Sequence, residues 1–62
     1  MTNQQIKEIR LQMELSQEEF AHLLGVTLQS VSRWELGKSN PGLKAKRQIK
    51  KLMLKIQKMD KN

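Results

Sequence analysis

Near the middle of this chain one helix must stop and another must start within about three residues, which limits what it can fold into. In "LSQEEFAHLLGVTLQSVSRWELG" (residues 15–37), Ser16 can cap a helix and Glu19 completes a capping box. Leu15 and Phe20 occupy the positions of a hydrophobic staple. That helix has to end near Gly25, because glycine best tolerates the positive φ found just past a helix end. Thr27 then caps a second helix, with Val26 and Val31 at its staple positions, and Gly37 stops it after about nine residues. Two short helices joined by so brief a turn cross steeply, and close crossing asks for a small side chain at the contact. Ala21 sits on the right face for that, with Phe20 and Leu24 set to pack against Val31 and Trp34.

The rest of the chain is helical too, since no window alternates with a period of two. A first segment over 3–14 puts Ile6, Ile9 and Met13 on one face. After "KSNPG" a last amphipathic helix spans about 43–59. Its apolar stripe is Ala45, Ile49, Leu52, Met53, Ile56 and Met59, with Lys44, Arg47, Lys51, Lys55 and Lys58 opposite. The pattern therefore predicts an all-α, four-helix fold in one domain over 1–62, with the steeply crossed pair at about 17–36.

Composition narrows the function. A chain of 62 residues buries only about 60% of its unfolded surface, so its own core is marginal. It has no cysteine and a single histidine, His22, so neither a disulfide nor a metal centre is expected. No cofactor is expected either. With no second histidine, no nucleophile–base pairing and no phosphate loop, the pattern argues against an enzyme. Neither a long apolar run at the N-terminus nor a membrane-spanning stretch is present, so the expected location is the cytoplasm, at the nucleoid. Charge is lopsided: residues 1–37 carry three cations against five carboxylates, while residues 38–62 carry nine against one, for a net +6. Such a basic segment suits a polyanion, nucleic acid or an anionic membrane, or is simply a solvated face. A membrane is disfavoured because the basic helix has no Trp or Phe to anchor it.

A helix–turn–helix geometry follows from the crossed pair, and "LSQEEFAHLLGVTLQSVSRWELGKSNP" resembles that of the Cro and phage-repressor class, also called the xenobiotic-response-element class. Phe20, Ala21, Leu24, Gly25, Val26, Val31 and Trp34 meet the class pattern at its spacing, over roughly residues 5 to 45. The resemblance implies a lambda-repressor-like fold and sequence-specific binding of double-stranded DNA by a small regulator, most simply a repressor. In such folds the second helix of the pair enters the major groove. The positions implied to meet bases are Thr27, Leu28, Gln29, Ser32 and Arg33. Gln29 suits adenine, Arg33 suits guanine, and Leu28 could meet a thymine methyl. Gln17, Lys38, Ser39, Asn40 and Lys44 correspond to phosphate contacts, although Asn40 before Pro41 also reads as a turn residue. Arg10 and Glu35 match a pair that bridges the first helix to the recognition helix, a structural role.

Class members ordinarily carry a fifth helix that often makes the dimer contact, and none is expected after this basic one. Ala45, Ile49 and Leu52 should then cover the core, leaving Met53, Leu54, Ile56 and Met59 for a symmetric partner. The expectation is a homodimer on a palindromic operator. The alternative is an antitoxin or anti-repressor that binds a protein partner through its last helix.

Overall fold

The computed structural model describes residues 2–59, with side chains as far as residue 56. Four helices run in order: α1 (Asn3–Gln12), α2 (Gln17–Leu24), α3 (Leu28–Leu36) and α4 (Leu43–Met59), with no strand among the described residues. No helix is long and apolar enough to cross a membrane.

Each of the first three helices starts at a side-chain cap. Thr2 accepts from the Gln5 amide at 3.1 Å while Gln5 Oε1 accepts from the Thr2 amide at 2.9 Å. Ser16 and Glu19 form the same reciprocal box, at 3.0 and 2.8 Å. The hydrogen bond from the Ser16 backbone N–H holds the Glu19 carboxyl below its ordinary pKa. Thr27 accepts from the Ser30 amide at 3.2 Å. These side chains satisfy N–H groups that have no partner inside their helix, typically worth about 1 kcal/mol per cap.

All three helices also end alike. A residue one or two past the end turns left-handed, and its amide and the next one fold back onto the last turn. At Gly25, with φ 72°, Gly25 N–H donates to His22 O and Val26 N–H to Ala21 O. At Gly37, with φ 76°, the donors are Gly37 and Lys38 and the acceptors Trp34 and Arg33. The first helix was expected to reach Glu14, and here the structure corrects the reading. α1 ends at Gln12, and Glu14 itself takes the left-handed position at φ 57°. Glu14 N–H donates to Leu11 O at 3.0 Å and Leu15 N–H to Arg10 O at 3.1 Å, completing the same motif without a glycine.

The core lies where the helices cross. Ile6 and Ile9 of α1, Phe20, Ala21 and Leu24 of α2, Val31 and Trp34 of α3, and Ala45 and Ile49 of α4 form one buried cluster. Fully burying a side chain such as Ile6 or Phe20 contributes about 1.5–3 kcal/mol, so these few residues carry the fold. Leu15 and Val26, the staple residues, are half-buried against the cluster. α4 closes the core from the side of α1 and α2. Its contribution does not stop at Leu52, as the sequence reading expected, because Met53 and Ile56 are also half-buried against the same cluster. Pro41 is buried too, pinning the loop between α3 and α4.

Candidate nucleic-acid interface

α3 presents two unlike faces. Val31 and Trp34 are buried, which turns positions 28, 29, 32 and 33 outward. Thr27, Leu28, Gln29 and Arg33 are exposed and Ser32 is half-buried. Gln29 and Arg33, four apart, stand on neighbouring turns of one face. Neither side chain bonds to another described residue, so the amide and the guanidinium keep all their donors for a ligand. Leu28, at the first position of the helix, is 45% exposed and offers an apolar side chain on this face. The Thr27 hydroxyl is engaged locally, with Ser30 at 3.0 Å.

A polar brace fixes the back of this helix. Glu35 accepts from Arg10 Nε at 2.7 Å, from Arg10 Nη2 at 3.0 Å and from Gln17 Nε2 at 3.1 Å. Arg10 Nη1 donates to the Leu15 carbonyl at 2.9 Å. Side-chain exposure is 11% for Arg10 and 6% for Glu35, so the pair is largely out of water. Burial pushes the Glu35 carboxyl up, but hydrogen bonds from Arg10 and Gln17 outweigh it and leave the pKa below its usual value. The pair expected to bridge α1 to the recognition helix does so, through three of the four helices. Asn3 adds a fourth tie, donating to the Glu35 carbonyl at 3.3 Å.

Gln17 has two jobs open to it. Its side chain is half-buried and one amide proton is committed to Glu35, which leaves the second amide proton for a phosphate. The sequence pattern marked Gln17 only by its position at the start of α2. The link to Glu35, 18 residues away, depends on the crossing angle and has no local signal. Lys38, Ser39 and Asn40 are exposed in the loop that Pro41 anchors, and Lys44 is exposed in the first turn of α4. These phosphate candidates thus flank α3 from two sides, α2 before it and the loop after it. Of the residues expected at a dimer contact, Leu54 is 59% exposed, Met53 and Ile56 are half-buried, and the Met59 side chain lies outside the described residues. His22 is exposed, and no metal-binding group occurs among the described residues.

This arrangement can place an outward-facing helix, held rigidly from behind, against a polyanion with a basic loop beside it. A helix-turn-helix family model matches residues 6–52, most of the chain, and fits a lambda-repressor-like fold. No curated protein and no solved structure matches the chain.

Proposed function

The chain belongs to the helix-turn-helix family, in its Cro and phage-repressor class, a family of DNA-binding regulators, and on that premise we propose that it is a repressor acting as a homodimer on a palindromic operator. The observation that carries this reading is the outward face of α3: Leu28, Gln29, Ser32 and Arg33 aim away from a core that Val31, Trp34 and the Glu35 brace hold still. Gln29 can both donate to and accept from adenine N6 and N7, and Arg33 can fork onto guanine O6 and N7. Leu28 and the Thr27 methyl supply apolar contact for a thymine. Gln17, Lys38, Ser39, Asn40 and Lys44 would hold the phosphates on either side and set the register. Two copies related by a twofold axis would place their α3 helices about one helical turn, roughly 34 Å, apart.

Selection of bound sequences from a random DNA pool tests the whole reading. The expected product is a palindrome with half-sites spaced by about 10 base pairs. No enrichment, or enrichment of a lone asymmetric site, overturns it. Binding that ignores salt, or no binding to DNA, would instead favour a protein partner held through α4, where Leu43 and Leu54 stand exposed.

A further inference from the structure

Leu23 and Leu43 face solvent from adjacent helices, 49% and 68% exposed, and both line one groove of about 570 Å³ between the end of α2 and the start of α4. Leu23 also lines a second groove, along the outer side of α2, together with Glu18 and Glu19. Leu43 also lines a third, along α4, together with Arg47 and Lys51. Because the grooves share these leucines, they form one continuous belt. It is acidic at the α2 end, mixed in the middle, where the two leucines stand beside His22, Lys44 and Gln48, and basic at the α4 end.

We propose that this belt is the homodimer interface: a second copy of this chain docks on it about a twofold axis near Leu23 and Leu43. A twofold axis sets the acidic end of one copy against the basic end of the other, so Glu18 and Glu19 face Arg47 and Lys51 twice over. The leucines close on each other at the centre. A nucleic-acid backbone is a poor occupant, since it gains nothing from the leucines and is repelled by the acidic end. The far end of α4 is a poorer interface for two copies. Lys50 and Lys51 stand one turn before Leu54 on the helix, no carboxylate occurs anywhere in α4, and Met53 and Ile56 already pack on the core of their own chain.

The inference rests on the homodimer reading, and sedimentation of the full chain across concentrations separates the two. Leu23→Asp is expected to weaken self-association at least about tenfold while leaving α-helical circular dichroism intact. Glu18→Lys and Arg47→Glu are each expected to weaken it, because each homodimer then meets like charges twice. Mixed together, these two variants are expected to form a heterodimer, since both contacts between them are again of opposite sign. Neither residue bonds to another described side chain, so neither change is expected to disturb the fold. If the mixture gives no heterodimer, the interface is wrong. If Leu54→Asp dissociates the protein and Leu23→Asp does not, the dimer stands and this surface falls. A wild-type monomer at every concentration overturns both.

Discussion

Removing Glu35 should destabilise this protein more than removing its partner Arg10, and the structure says by how much. Glu35→Ala deletes three hydrogen bonds and leaves the Arg10 guanidinium, 11% exposed, with the Leu15 carbonyl alone. Stripping one partner from a buried pair costs about 3–5 kcal/mol. This pair sits at the edge of the core, and a long arginine can swing toward water, so the expected loss is about 2–3 kcal/mol. A chain of 62 residues has a total stability of only about 3–9 kcal/mol, so the variant should be close to unfolding. Arg10→Met leaves Glu35 still receiving the Gln17 amide and should cost less, about 1–2 kcal/mol. The double variant buries no orphaned charge. Its loss should fall well below the sum of the two singles, a coupling of about 1 kcal/mol or more. Urea unfolding followed by Trp34 fluorescence measures all three. A loss under about 0.5 kcal/mol for Glu35→Ala would put the pair among ordinary surface ion pairs and refute the argument; additive singles would refute it as well.

The same pair sets a pH signature. Glu35 has a folded pKa below its unfolded value, because its hydrogen bonds outweigh its burial. Its stabilisation is therefore complete above the unfolded carboxyl pKa, about 4.3, and is lost as pH falls through the lower folded value. Arg10 stays protonated throughout and contributes no titration of its own. The wild-type urea midpoint should drop across this acid window, and the Glu35→Ala midpoint should drop less. A residual slope is expected in the variant, because the Glu19 carboxyl is also held low by Ser16.

The strained turn after α1 offers a gain in stability: Glu14→Gly should raise the unfolding free energy from urea titration by about 1 kcal/mol, since glycine occupies a φ of 57° without penalty. Gly25→Ala is the mirror test. An added Cβ there meets nothing within 4 Å, so the expected loss of about 1–2 kcal/mol is backbone strain alone. Arg33→Ala should cost about 1–3 kcal/mol of DNA affinity and relax preference at one base pair, whereas equal loss on every sequence would make it a phosphate contact. Log affinity should fall linearly with log salt, and Lys38→Ala should reduce the slope by about 1 with no change in sequence preference.

What the sequence made legible here was local chemistry. The Ser16 and Thr27 caps, the stops at Gly25 and Gly37 and the apolar spacing of α3 each depend on residues within a turn of one another, so reading along the chain finds them. Together they separate the outward face of α3 from its buried one. Glu14 left no such mark, because a left-handed stop without glycine looks like more helix. The structure shows what holds it there: Arg10 donates to the Leu15 carbonyl at 2.9 Å, and Leu15 sits half-buried on the core. The turn is stabilised by a side-chain hydrogen bond and by burial on the core, neither of which leaves a residue-type signal at position 14. The reach of α4 was missed for a related reason. An amphipathic stripe shows which face is apolar, but how far along it the core extends depends on where α1 and α2 lie, and they reach Met53 and Ile56. Arg10 joins these levels. One guanidinium closes the turn that lets α2 leave α1 and, through Glu35, fixes the far end of α3. The orientation of the outward face of α3 is thus tied to the turn between α1 and α2.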